Sequence, residues 1–167
     1  MKEKRSRSLE LYRVIFFMLT AAVMTVIFIL SAQDAKESSG TSRRLTRLMV
    51  KLISGDYDSL SPVQQQEIWS KASFIVRKLA HFTIYAALGF CASFTAGKRK
   101  LFSPGSLGVI ISGFLYAVSD EFHQHFVPGR SCEFRDMMID TGGVLTGMLG
   151  MFMITALLSV FIRYKKA

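Results

Sequence analysis

The residue types that can do acid, base or metal chemistry are concentrated in three short segments of this chain. His81 and Tyr85 lie four residues apart in the first segment, and Asp136 and Asp140 have the same spacing in the third, so each pair shares one face of a helix. The middle segment contributes the side chains of Asp120, Glu121, His123 and Gln124. Carboxylates and imidazoles at such spacings suit general acid and base catalysis or the binding of a divalent metal.

These residue types predict a role for each member of the set. The candidates for catalysis are His81, Asp120, Glu121, His123, Asp136 and Asp140. The candidates for substrate binding are Lys78, Tyr85, Gln124 and Arg130, whose two cations suit a phosphate or another anion. A divalent metal, the one cofactor that these residues indicate, would be held by His81 and His123 with one or two of the acids Asp120, Glu121, Asp136 and Asp140. Our ligand set is His81, His123 and Asp140, although their spacing is not that of a recognised metal motif.

Two other interpretations of these residues stay open. In the first, Lys78 or Arg130 neutralises the nearby acids in a structural network that ties helices together. In the second, the residues line a pocket that captures a drug, a lipid or a wall precursor without altering it. A channel or transporter is disfavoured, because the inner halves of the predicted helices lack polar residues for a path across the membrane.

The elements that must position these residues are four apolar blocks separated by short charged stretches. Half of the 167 residues are hydrophobic, which is unusual for a soluble chain that is 20% charged. At a rise of about 1.5 Å per residue, each block can cross a hydrocarbon core of about 30 Å. We predict an all-α, polytopic membrane protein, a single domain over residues 1–167, whose four spans are residues 12–32, 74–96, 103–122 and 137–162.

The loop between the first two spans, residues 33–73, is more than a linker. Between residues 41 and 54, leucines and isoleucine recur at helical spacing while arginines and lysine take the other faces. This pattern predicts an amphipathic helix that lies in the outer membrane interface or packs as a lid on the bundle. A short polar helix follows at Ser61, whose spacing to Gln64 fits a capping box with Pro62 at the first helical position.

The distribution of basic residues predicts the orientation in the membrane. They crowd the N-terminal flank, the loop at residues 98–100 and the C-terminal tail, which four spans place on one side. Their excess there accounts for the whole net charge of +9. We therefore expect a multi-pass protein of the cytoplasmic (inner) membrane with both termini in the cytoplasm, and no nucleic-acid partner, since no motif of nucleic-acid recognition is present.

On this four-span arrangement, the polar residues of four separate segments converge on the outer leaflet. Polar side chains within a membrane face the bundle interior or a watery cavity. Gly143 and Gly147 continue the face of Asp140 as a small-xxx-small seam, which lets another helix come close beside it. The sequence therefore predicts one outward-opening polar pocket inside the bundle.

Three ordered motifs in the chain resemble the VanZ-like family. They are residues 78–85 (KLAHFTIY) with Gly89, residues 119–130 (SDEFHQHFVPGR), and Asp136 and Asp140 with Gly143. The end of the first span at Ser31 and Gln33 also fits, whereas the basic helix of the outer loop is not part of the family pattern. The resemblance implies a membrane protein whose founding member is linked to resistance against teicoplanin, a lipoglycopeptide that acts on cell-wall precursors at the outer face of the membrane.

The resemblance implies no particular reaction, so the mechanism has to come from the residues. We expect a protein associated with teicoplanin-type tolerance whose pocket modifies a membrane lipid or a lipid-linked cell-wall precursor, by hydrolysis or group transfer at the headgroup. The alternative is a non-catalytic protein that binds or shields a lipid or a lipoglycopeptide. Membrane lipids are the expected partners in both cases, together with the precursor or the lipoglycopeptide.

Overall fold

The computed structural model describes residues 2–96 and 101–165, which are all-helical apart from their connections and contain no strand. The helices are α1 (Lys2–Ser31), α2 (Ala35–Ile53), α3 (Pro62–Ala96), α4 (Pro104–Gln124) and α5 (Phe134–Tyr164), with a 3-10 turn at Tyr57–Ser59. The predicted all-α class is confirmed. The basic loop at residues 98–100 and the tail residue Lys166, which entered the predicted orientation, lie outside the described residues.

Three of these helices are long and apolar enough to cross a membrane, and they indicate a membrane protein. They are Glu10–Ser31 of α1, the whole of α3 and the whole of α5. Large apolar side chains along α1 and α5, such as Phe17 and Phe161, are exposed in the single chain, as expected of surfaces that face lipid. Helix α4 has 21 residues but is not one of the three, and its last turns carry the acids Asp120 and Glu121.

Helix α3 is the centre of the bundle and packs against each of the other four helices, most extensively against α5. The backbones of α3 and α5 touch at glycines. A Cβ atom at Gly147 would collide with the carbonyl oxygen of Ala86, and one at Gly89 would collide with the backbone of Val144. The predicted seam of small residues on α5 is thus the contact that lets these two helices approach each other.

The other helices join this pair through a small apolar core. Its fully buried side chains include Ile27, Tyr85, Ala117 and Val144, which come from α1, α3, α4 and α5. The Tyr116 hydroxyl ties α4 to α1 by donating to the backbone carbonyl of Met24 at 2.7 Å. Four helices therefore meet around one core, which positions the polar ends of α3, α4 and α5 near each other.

The helix boundaries in the loop before α3 differ from the sequence prediction. Helix α2 begins at Ala35 rather than at residue 41, because the Asp34 side chain caps it by accepting a hydrogen bond from the Glu37 amide at 2.7 Å. The predicted capping box forms, with the Ser61 amide donating to Gln64 Oε1 at 3.1 Å. The sequence predicts a short helix after the capping box, separate from the second span. The structure has one helix of 35 residues, α3, since no glycine or proline interrupts residues 63–88.

Candidate functional site

A polar cavity of about 90 Å³ lies between α3, the start of α5 and the loop that joins α4 to α5. Most of its lining side chains can form hydrogen bonds or carry charge. Six of the predicted site residues line it: Lys78, His81, Gln124, Arg130, Asp136 and Asp140. The structure therefore brings together residues from three separate sequence motifs.

His81 on α3 and Asp140 on α5 face each other in the wall of this cavity. The distance from His81 Nδ1 to Asp140 Oδ2 is 3.6 Å, which is longer than a hydrogen bond. The Asp140 side chain is 1% exposed, and its Oδ2 atom has no hydrogen-bond partner within residues 2–96 and 101–165. A buried carboxylate oxygen without a hydrogen-bond partner is costly in free energy.

Asp120 joins this pair from α4. Its Oδ2 atom accepts hydrogen bonds from Ser31 Oγ at 2.9 Å and from Gln124 Nε2 at 3.0 Å. The Asp120 carboxylate is buried, and one ligand atom from each of His81, Asp120 and Asp140 can be chosen so that all three lie within 4.8 Å of one another. Asp120 thus connects α1 and α4 to the site.

Lys78 and Asp136 form an ion pair between α3 and α5 at the edge of the cavity. Both side chains are largely buried, with exposed fractions of 22% and 15%. The Lys78 ammonium also lies 5.0 Å from the centre of the Phe74 ring, a cation–π contact. This pair fits the structural interpretation of the charges, since it links the two helices that the glycine seam brings together.

Arg130 closes the cavity from the α4–α5 loop. Its Nη1 atom donates to Gln124 Oε1 at 3.1 Å, and its Nε atom donates to the backbone carbonyl of Gln33 at 3.2 Å. Burial lowers the pKa of Arg130, and the neighbouring charge of Arg77 lowers this pKa further. Arg77 and Arg130 therefore place two like charges along the same cavity.

The remaining predicted residues lie around the cavity rather than in its lining. Glu121 is buried and accepts a hydrogen bond from the Glu133 amide at 3.0 Å, which holds the loop against α4. The His123 ring stacks on Phe28, with ring centres 4.7 Å apart. The Tyr85 side chain is fully buried in the core, and its hydroxyl has no hydrogen-bond partner among the described residues.

The placement of His123 bears on the predicted metal ligands. Residues 2–96 and 101–165 contain one group of histidine, cysteine and acidic side chains with metal-ligand spacing, and its members are His81, Asp120 and Asp140. Two of the three expected ligands, His81 and Asp140, are therefore brought together. The third member of the group is Asp120, while His123 lies against α1.

A second, apolar cavity of about 200 Å³ adjoins the polar one between α1, α2 and α3. Its walls include Ile27, Leu30, Leu45, Val76 and Ile84. The residues that line both cavities are Arg77, His81 and Arg130. These cationic and polar residues form the boundary between the small polar cavity and the larger apolar cavity, which we call the apolar groove.

Residues 16–161 of the chain match the family model of VanZ/LLP1. The chain belongs to the VanZ/LLP1 family. The match contains all residues of both cavities, and it confirms the resemblance carried by the three sequence motifs. No curated protein and no solved structure matches the chain.

One residue of this VanZ/LLP1 site escaped the sequence analysis. Arg77 lines both cavities, yet it has no hydrogen bond or ion pair in the part of the chain that the structure describes. It lies four residues before His81, so the two share a face of α3. That spacing is the signal in the sequence that identifies it.

Proposed function

We propose that this VanZ/LLP1 protein binds the anionic headgroup of a membrane lipid or a lipid-linked cell-wall precursor and modifies that headgroup. The observation that carries this proposal is the boundary shared by the two cavities, where Arg77, His81 and Arg130 line both. A lipid presents a charged headgroup joined to an apolar chain, so it requires a polar cavity beside an apolar groove. Guanidinium groups at the junction suit a phosphate.

The unpaired state of Arg77 supports an anionic ligand. Arg130 is held by Gln33 and Gln124, whereas Arg77 has no hydrogen-bond or ion-pair partner in residues 2–96 and 101–165. Two neighbouring guanidinium groups repel each other at close range, and this repulsion is relieved when an anion lies between them. The headgroup phosphate is therefore the part of the lipid that we place between Arg77 and Arg130.

The proposal includes four membrane spans, with α4 as the third. Its 21 residues correspond to about 30 Å at the usual rise, which equals the thickness of the hydrocarbon core. The start of α1 and the end of α3 lie together, since Arg13 Nε donates to the backbone carbonyl of Thr95 at 3.2 Å. The start of α1 and the end of α3 adjoin the basic segments of the sequence, so we place this side of the bundle, with both termini, in the cytoplasm. The cavities lie at the opposite ends of the helices, so we place them in the outer leaflet of the inner membrane.

Helix α2 is proposed to lie in the outer interface. The bundle covers Thr46 and Val50, whereas Leu45, Leu48 and Leu52 remain exposed, Leu52 by 82%. Exposed basic side chains occupy the neighbouring face: Arg43, Arg44, Arg47 and Lys51. In this position the leucines would be buried in the acyl region of the lipids, and the arginines would lie near the lipid phosphates.

The chemistry proposed for the cavity is proton transfer at the bound headgroup. His81 lines both cavities and lies beside the two arginines, so it is the acid or base nearest to a phosphate held there. Asp140 faces its ring at 3.6 Å and is the second catalytic candidate. The reaction class that these residues suit is hydrolysis or group transfer at the headgroup.

A biological outcome follows from the location and the family resemblance. A lipoglycopeptide such as teicoplanin meets lipids and lipid-linked wall precursors at the outer face of the membrane. A protein that alters these molecules there would change what the antibiotic binds. We therefore propose tolerance to teicoplanin-type antibiotics as the phenotype of expression.

The size of the apolar groove favours a second candidate function, capture without chemistry. The groove is about 200 Å³ against about 90 Å³ for the polar cavity, and Ser38, Ser42 and Leu45 of α2 form one of its walls. A lipid or lipoglycopeptide chain held there beneath α2 would be shielded without being altered. The ion pair of Lys78 with Asp136 fits this candidate, because it withdraws two of the charged groups from catalysis.

Headgroup turnover separates the two candidates. We would incubate the purified protein in nanodiscs with an anionic phospholipid or a lipid-linked wall precursor and analyse the lipids by mass spectrometry. We expect conversion by the wild type and by His125→Ala, a control at an exposed histidine, and none by His81→Ala or Asp140→Asn variants that still bind the lipid. Binding by the wild type without conversion of any tested lipid would contradict the modifying function and favour capture.

A further inference from the structure

The buried cluster of His81, Asp120 and Asp140 has features that acid and base chemistry alone does not require. We infer that these three residues bind one divalent transition-metal cation of the Zn²⁺ or Mn²⁺ type. They come from three helices, α3, α4 and α5, and one ligand atom of each lies within 4.8 Å of the others. One imidazole and two carboxylates form a ligand set that such cations accept.

The orphaned oxygen of Asp140 is the second observation that points to a cation. The Asp140 side chain is 1% exposed, and its Oδ2 atom, which faces His81 Nδ1, accepts no hydrogen bond from the described residues. A buried carboxylate in this state lacks the compensation that buried charges normally have. A cation between Asp140 and His81 would supply it.

Charge balance in the cluster supports the same assignment. Neither Asp120 nor Asp140 forms an ion pair with a lysine or arginine in the described ranges, because Lys78 pairs with Asp136 and Arg130 donates to Gln124 and Gln33. Two carboxyl groups then share a buried site with a single histidine. One divalent cation neutralises both carboxylates.

The spacing of His81 and Asp140 fits two ligands of one ion. Two ligand atoms that each lie about 2.1 Å from a tetrahedral metal are roughly 3.4 Å apart. The observed 3.6 Å from Nδ1 to Oδ2 is close to that value and too long for a hydrogen bond. Binding would draw in the ligand atom of Asp120 as well, which lies within 4.8 Å of the other two.

The surroundings of Asp120 resemble the outer shell of a metal site. Ser31 and Gln124 both donate to its Oδ2 atom, at 2.9 and 3.0 Å, and Arg130 in turn donates to Gln124 at 3.1 Å. Such donors fix the orientation of a ligating carboxylate and leave its other oxygen for the metal. Removal of one donor of this kind lowers metal affinity by about 10–100-fold.

Metal binding is tested on chelator-treated protein in detergent without added lipid, carrying an affinity tag that contains no histidine. Titration with Zn²⁺ and with Mn²⁺ is followed by elemental analysis after gel filtration, and by the unfolding temperature. We expect one metal per chain in the wild type and in His123→Ala, because His123 lies outside the cluster. We expect loss of stoichiometric metal in His81→Ala and Asp140→Asn, and about 10-fold weaker binding in Ser31→Ala.

The response of stability to chelation distinguishes ligands from merely structural residues. Removal of metal should lower the unfolding temperature of the wild type, and it should leave that of Asp140→Asn unchanged. If the Asp140 variant does not fold, Ser31→Ala provides a second readout: at limiting metal, chelation should lower its unfolding temperature less than that of the wild type. Absence of stoichiometric metal in the titrated wild type, or equal binding by all variants, would overturn the inference without affecting the proposed lipid function, since no lipid is present.

Discussion

His81 and Asp140 face each other across the interface of α3 and α5, with Nδ1 3.6 Å from Oδ2. This distance depends on Gly143 and Gly147, which follow Asp140 on the same face of α5. Gly143 and Gly147 offer no side chain to α3, so the two backbones touch there, and Asp140 lies one turn before this contact. The packing seam therefore also sets the separation of two candidate functional groups.

Replacement of Gly147 by alanine tests this relationship. The added methyl group would overlap the carbonyl oxygen of Ala86, a backbone atom, so the helices must separate. We expect a loss of about 1–3 kcal/mol in stability, as for other overpacked sites, with weaker metal and lipid binding. Gly150→Ala in the same helix is the matched control, since nothing lies within 4 Å of its added methyl group. Equal unfolding temperatures of the two variants in detergent would contradict a close backbone contact between α3 and α5 at Gly147.

The Lys78–Asp136 pair is expected to stabilise the α3–α5 contact through a direct interaction. In a double-mutant cycle with Lys78→Met and Asp136→Asn, we expect a coupling energy of about 0.5–3 kcal/mol, measured by unfolding in mixed micelles. The exposed pair of Lys71 and Glu67, with exposed fractions of 67% and 62%, provides a control cycle with a coupling of about 0.3–0.5 kcal/mol. A Lys78–Asp136 coupling no larger than this control would show that the pair contributes nothing specific.

Cys132 is a natural reporter of the proposed orientation, because it is exposed in the loop beside the polar cavity. In spheroplasts, a membrane-impermeant maleimide should label the wild type but not Cys132→Ser. In the Cys132→Ser background, Lys165→Cys at the end of α5 should react only after permeabilisation. The reverse pattern would place the cavities on the cytoplasmic side and contradict the proposed orientation.

Much of the fold could be predicted because its physical signals are local. Apolar blocks of about 20 residues predict helices that span, and the spacing of Gly143 and Gly147 predicts a close helix contact. The start of α2 could not be predicted as well, since it depends on a cap at Asp34 outside the apolar pattern. The continuity of α3 could not be predicted, because the polar residues after Pro62 resemble a separate short helix, whereas Pro62–Ala96 is one helix.

The site was predicted where neighbours in sequence share a helix face, and it was missed where partners depend on tertiary packing. Asp120 and Gln124 are about 40° apart around α4, so both reach Ser31, whereas His123 and Gln124 are about 100° apart. His123 stacks on Phe28 of α1. Arg77 shares a face of α3 with His81, but its place in the groove also depends on how α1 and α2 pack against α3, which the spacing alone does not show.

Lipid retention measures directly whether the junction of the two cavities holds an anionic lipid. Native mass spectrometry would compare retention of an anionic phospholipid with that of a zwitterionic one by the wild type, Arg77→Gln, Arg130→Gln and the control Arg163→Gln at the opposite end of α5. We predict that the wild type and the control retain one anionic lipid, and that the two site variants bind it about tenfold or more weakly, since a charge-assisted contact contributes about 1.5–3 kcal/mol. Equal retention by all four proteins, or equal retention of the zwitterionic lipid, would contradict the binding of an anionic headgroup by Arg77 and Arg130.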